Sequence, residues 1–292
     1  IVNWVKWALS GNSLEPEWVQ SLAVQARWLR RRVEWHLLGN HLLANAKALI
    51  FAGLFFDGDE ALGWLGLGLG ILRSEIPEQI LADGGHFELS PMYHAIILED
   101  LLDLVNACRA WPGVVPDEMV KQWLEHASRM MRWLSGMIHP DGGVAFFNDT
   151  AFGIGATCAD LEVYATSLDV ASPILPRYSP ILHFPESGYL RLERGGAVAM
   201  LDVARVGPEY LPGHAHADTL SFELSLLDQR LLVNSGTSQY GVGTERSRQR
   251  STIAHNTVTV DGLDSSEVWG GFRVARRARP FDLRFAETDG AI

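Results

Sequence analysis

Four short segments concentrate His, Asn and Tyr beside Gly or Pro in otherwise apolar surroundings: GNHLLANA at 39–46, DGGHFELSPMYH at 83–94, PGHAHAD at 212–218 and RSTIAHNTVTVDG at 250–262. Imidazole and phenol groups move protons, and amide groups hydrogen-bond to developing negative charge. His214 and His216 stand two apart, with Asp218 two further on, a spacing that an extended strand turns into one face. Such a face suits shared metal ligation, or a catalytic His beside a metal-binding one. His255 heads an alternating run; it would complete a divalent-metal set with His216 given a third ligand, or it is simply satisfied by backbone.

Asn40 and His41 open an apolar helix, so the pair either caps that helix or faces a cavity. In the second segment Asp83, Gly84 and Gly85 read as a turn and Ser90-Pro91 as a helix start, placing Tyr93 and His94 in the first turn. A Tyr there can exchange a proton, or can serve structurally through its hydroxyl. A glycosidase would need two flanking carboxyl groups. Glu88 and Asp149 are available, in a less organised setting than the His and Tyr set.

These residues need elements to hold them. Trp18, Leu22, Ala26, Leu29 and Val33 recur at helical spacing, and further helices are predicted over 39–56, 59–75, 91–111, 116–137 and 157–168. After Pro173, Pro176 and Pro180 the period changes to two. In TLSFELSLL the residues Leu220, Phe222, Leu224 and Leu226 are expected on a buried face, with GYLRLERGGAVAMLDVAR and HNTVTVDG as further strands. The division predicted is a helical domain over 1–172 and a β domain over 173–292, an α+β chain.

At 292 residues and 47% hydrophobic content the chain can bury two cores. No segment approaches the roughly 18 uncharged apolar residues of a membrane span. A formal charge of −11 argues against a general nucleic-acid binder. Cys108 and Cys158 have neither disulfide-framework nor zinc-ribbon spacing. The chain opens IVNW and stops at DGAI, so it reads as a truncated fragment whose compartment its own residues do not reveal.

GNHLLANAKALIFAGLFF, DGGHFELSPMYH, HPDGGVAFFND, GHAHADTLSFEL and RSTIAHNTVTVDG occur in the order seen in the heparinase II/III family of polysaccharide lyases, itself similar to certain alginate and oligoalginate lyases. The resemblance spans nearly the whole chain. It implies an incomplete (α/α) toroid followed by an antiparallel β-sandwich, and β-elimination on a uronic-acid-containing glycan: heparan sulfate or heparin, with alginate or another unsulfated uronan as the alternative. A glycan-binding protein without turnover is the reading from a different class.

By the same resemblance Asn40 would neutralise the uronate carboxylate. His41 and Tyr93 would abstract the C5 proton and protonate the leaving oxygen, in an order that depends on the C5 epimer, and His214 would join in either task. Glu88, His94, Tyr240 and Arg250 are the candidate glycan contacts. His216, Asn234 and His255 match a structural zinc site, with Asn234 standing where an Asp is expected; losing the anionic ligand weakens such a site. The implied partner is an acidic polysaccharide, with room for a homodimer, and the implied location is the periplasm or exterior of a bacterium. Because the overall charge would repel a polyanion, a local basic groove is expected from Arg27 to Arg32, Arg246 to Arg250, Arg273, Arg276, Arg277 and Arg279.

Overall fold

The computed structural model describes residues 1–170 and 180–284. They fall into two compact units, Ile1–Gln79 with Glu99–Glu125, and Ile80–Leu98 with His126–Ile292. The domain boundary expected at 172/173 lies outside the described residues. No helix among them is long and apolar enough to cross a membrane.

The first unit holds α1 (Val2–Leu9), α2 (Pro16–Arg31), α3 (Gly39–Phe55) and α4 (Asp59–Gln79), with parts of α5 (Pro91–Ala110) and α6 (Asp117–Gly136). Helix α3 buries Leu42, Leu43, Ala46, Leu49, Ile50 and Phe51. It lies close to α4 because two glycines remove side chains from the crossing. A Cβ on Gly53 would stand 2.6 Å from the Leu65 amide nitrogen, and one on Gly68 would stand 2.8 Å from the Ala46 carbonyl oxygen. The buried Lys47 ammonium reaches Asp100 at 2.6 Å and Asp103 at 2.5 Å, and Lys6 of α1 adds a second cation to Asp103 at 2.8 Å. This pairing offsets the desolvation of buried charge.

The second unit adds α7 (Cys158–Ser167), α8 (Thr244–Arg250) and a five-stranded antiparallel sheet, β1 (Ile181–Phe184), β2 (Tyr189–Arg194), β3 (Ala197–Asp202), β4 (Phe222–Leu226) and β5 (Gln229–Leu232), in sequential order. A two-stranded ribbon follows, β6 (Val268–Trp269) with β7 (Arg273–Val274). Gly195 and Gly196, with φ of 59° and 81°, make the β2–β3 turn, where positive φ at both central residues matches the twist of the strands. Trp133, Met137, Phe147, Phe184, Tyr189 and Met200 form the core beneath the sheet.

Three sequence expectations need correction here. Strand β4 shows the opposite face to the one expected: Ser221, Glu223 and Ser225 are buried, while Leu220 and Leu226 are 58% and 45% exposed. The reason is polar. Glu223 accepts from His139 Nε2 at 2.7 Å and from the backbone of Phe146 and Asn234, and the His139 Nδ1 edge meets Ser225 Oγ at 2.6 Å. Leu220 and Phe222 of the apolar face instead line an open groove with Leu232, Val258 and Val260.

HNTVTVDG has the alternation of a strand but forms only the Val260–Leu263 bridge, because it lacks a partner strand among the described residues. PGHAHAD is a turn and irregular backbone rather than a strand. Its two histidines nevertheless converge on one carboxylate, as described below.

Candidate active site

Helix α5 begins as expected, with Pro91 in its first turn and Ser90 ahead of it. The Tyr93 amide donates to Ser90 Oγ at 3.3 Å, a long N-cap bond that fixes the first turn and with it the tyrosine. Ser90 Oγ in turn donates to the Asp149 carbonyl at 2.6 Å.

Asn148 sits with φ 54° in the left-handed region, which Asn tolerates better than most residues. Its side chain donates to the Leu89 carbonyl at 2.9 Å and accepts from the His216 amide at 3.0 Å. The loops around residues 89, 148 and 216 are thereby locked together in the second unit.

Asp149 is fully buried and gathers the site. Its Oδ2 accepts from His214 Nδ1 at 2.9 Å, and its Oδ1 accepts from His216 Nε2 at 2.8 Å and Thr237 Oγ1 at 2.9 Å. Arg246, also fully buried, donates to both oxygens. Burial alone would raise this carboxyl, but hydrogen bonds from His214, His216 and Arg246 outweigh it and hold the group well below the usual carboxylate range.

The Tyr93 ring packs on the His214 ring at 4.0 Å between centroids. Its hydroxyl donates to the Tyr240 hydroxyl at 3.0 Å, and Tyr240 stacks on Phe272 at 5.9 Å. Burial, then the bond to Tyr240, pushes the Tyr93 phenol up, so it rests protonated. The Nε2 atom of His214 lies 3.7 Å from Glu88, beyond hydrogen-bond range. Tyr93, His214, Tyr240 and Glu88 therefore share one patch, of which Tyr240 is 47% exposed.

Asn40 and His41 lie at the start of α3 in the first unit, as expected, and His41 Nδ1 is 3.2 Å from Glu34. Two expected glycan contacts have other duties. His94 is wholly buried: its Nδ1 accepts from the His86 amide, its Nε2 donates to the Met130 carbonyl at 3.0 Å, and its ring stacks on Trp133 at 4.4 Å. Arg250 is 1% exposed and gives its donors to the carbonyls of Ala215, Trp269, Gly270 and Arg273. Arg246 and Arg250 are thus internal braces rather than part of a basic groove.

His216, Asp218 and His255 form a buried trio whose ligand atoms all lie within 4.8 Å of one another. His216 Nδ1 and His255 Nε2 face each other at 3.3 Å. Burial lowers the His255 imidazole to about 4, leaving it neutral as a metal ligand requires. Asn234 Oδ1 accepts from the Asn256 amide at 3.1 Å, while its Nδ2 is buried without a hydrogen-bond partner among the described residues. Asp218 supplies the negative charge that Asn234 lacks. Two imidazoles and a carboxylate fit a divalent cation such as zinc.

Comparison with known proteins agrees with this layout. The heparinase II/III N-terminus model matches residues 9–165, and the heparinase II/III-like C-terminal model matches residues 176–291. A heparin-sulfate lyase of Bacteroides stercoris is 28% identical over 251 residues, 78% of this chain and 37% of the relative; one of Pedobacter heparinus is 24% identical over 249 residues, 76% and 36%. A crystal structure of heparinase III superposes with a TM-score of 0.75 at 21% identity, covering 95% of this chain and 46% of that one. The fold class is that of the heparinase structures, toroid helices followed by the antiparallel strands of a β-sandwich. The chain spans less than half the length of each of these proteins. Two family models that together take in nearly every residue show that the chain belongs to the heparinase II/III family.

Proposed function

We propose that the chain forms part of a bacterial polysaccharide lyase that cleaves heparan sulfate or a related uronic-acid-containing glycan by β-elimination. The observation that carries this reading is the Tyr93 hydroxyl, held protonated beside His214 on the patch shared with Tyr240. In the reaction the C5–H bond breaks, its electron pair forms the C4–C5 double bond, and the C4–O bond breaks as the leaving oxygen takes a proton. Tyr93 supplies that proton. His41 accepts the C5 proton, an assignment between His41 and Tyr93 that the C5 epimer can exchange, His214 joins in carboxylate neutralisation or proton transfer, and Asn40 stabilises the carboxylate as charge builds on it. Each such donor is worth about 3 to 4 kcal/mol in the transition state. The names of the relatives favour heparan sulfate over alginate as the substrate.

The test is the ultraviolet absorbance of the new double bond when full-length protein meets heparan sulfate, heparin, alginate, hyaluronan and chondroitin. The expected result is a rise on heparan sulfate that Tyr93→Phe reduces by about 10² to 10⁴, the range of general acid–base catalysis. A flat trace on all five polymers would sink the reading.

The metal reading is zinc at His216, Asp218 and His255, a structural ion that would tie the 214–219 loop to the start of the 255–262 segment. Metal analysis of the purified protein should find about one zinc per chain, lost in His255→Ala together with a drop in Tm. Full Tm and no zinc in the wild type would reject it. A periplasmic or extracellular location follows from the substrate, a polymer met outside the cytoplasm.

A further inference from the structure

We propose that Asp149, clamped by Arg246, is a positioning residue that sets the tautomers of two histidines at once. It presents His214 Nε2 to the substrate and leaves His216 Nδ1 bare toward His255. This inference rests on the reading of His214 as a proton-handling group.

An ionised carboxylate only accepts hydrogen bonds. His214 meets Asp149 through Nδ1 and His216 through Nε2, so those nitrogens carry the protons. The opposite nitrogen of each ring then becomes its working edge. For His214 that edge is Nε2, on the side of Glu88. For His216 it is Nδ1, 3.3 Å from His255 Nε2.

The carboxylate cannot rotate away from this duty. Arg246 grips both oxygens in a fork, its Nε donates to the Gly271 carbonyl at 3.0 Å, and Thr237 adds a further donor to Oδ1. The arginine also neutralises a charge that is shut off from solvent, since both side chains are fully buried. A lysine could not reproduce the two-pronged grip. If Asp149 were merely a core ion pair with Arg246, nothing would require both imidazoles to point their N–H groups at it.

The experiment is side-chain nitrogen NMR of histidine-labelled full-length protein, recorded above the pH at which imidazole is cationic, alongside steady-state kinetics. In the wild type His214 should carry its proton on Nδ1 and His216 on Nε2. In Asp149→Asn the amide offers one acceptor and one donor, so at least one ring should move its proton to the other nitrogen. With that change kcat should fall steeply, by up to the order of 10⁴ seen when a tautomer-holding Asp becomes Asn in a serine protease, while KM stays within a few-fold.

Wild-type tautomers retained in Asp149→Asn would overturn the proposal, and so would a loss of kcat without a tautomer change. Should Asp149→Asn fail to fold, Arg246→Lys takes its place: altered ring signals with a smaller kcat loss are expected, and unchanged signals overturn the proposal. A wild-type protein that makes no unsaturated product defeats the lyase reading alone, and the nitrogen spectrum still decides what Asp149 does.

Discussion

Arg250 and His94 show how a residue's type can suggest a ligand contact that its surroundings forbid. Each has the chemistry to meet an acidic sugar, yet each is buried, with its polar atoms engaged by backbone. Replacing Arg250 with Ala would leave at least three carbonyls short of a donor inside the fold, and unsatisfied buried groups cost about 1 to 3 kcal/mol each. The expected outcome for Arg250→Ala is a lower unfolding midpoint in urea, with the glycan KM of the surviving folded fraction unchanged. A raised KM at full stability would return Arg250 to the substrate. The converse error concerns Asp149 and Arg246. The sequence offered Asp149 only as half of a glycosidase pair, and Arg246 only as one charge in a run. Their convergence joins positions 97 residues apart, a distance that no local spacing reveals.

Among the elements, the helices were legible because their signal is local. The expected 39–56, 91–111, 116–137 and 157–168 each lie within one residue of the observed bounds at either end. Strand β4 was legible in place but not in orientation. Alternation fixes which residues share a face; which face is inward depends on partners far along the chain, here His139. The glycines of α4 give a test of helix packing. A Cβ on Gly66 would meet nothing within 4 Å, whereas one on Gly68 would abut Ile50 and the Ala46 carbonyl. Gly66→Ala should stabilise by about 0.5 to 1 kcal/mol, the helix-propensity gain, and Gly68→Ala should destabilise by forcing α3 and α4 apart. Thermal unfolding of the two variants side by side checks both signs, and equal shifts would contradict the close crossing.

For the molecule as a whole, the buried imidazoles couple folding to pH. Burial lowers His94 to about 3 and His86 to about 4, against about 6.5 for a free imidazole. Between those limits the unfolded chain binds protons that the folded chain refuses. Stability is therefore full above about pH 6.5 and declines as pH falls, by about 1.4 kcal/mol per pH unit for each such group. Asp202 works in the opposite sense: burial, reinforced by Asp218, raises its carboxyl well above the ordinary value, so the folded chain holds a proton there that the unfolded chain releases. The three imidazoles lowered by burial, His86, His94 and His255, outnumber the two raised carboxyls, Asp100 and Asp202, which leaves a net loss on acidification. His94→Gln isolates one contribution, because the amide can still donate to the Met130 carbonyl but does not titrate. Urea unfolding followed from about pH 6.5 to 4 should give the variant a slope shallower than wild type by about 1.4 kcal/mol per pH unit. Parallel slopes would mean that His94 takes up its proton in the folded state as readily as in the unfolded chain, which its stacking on Trp133 and its bond to Met130 argue against.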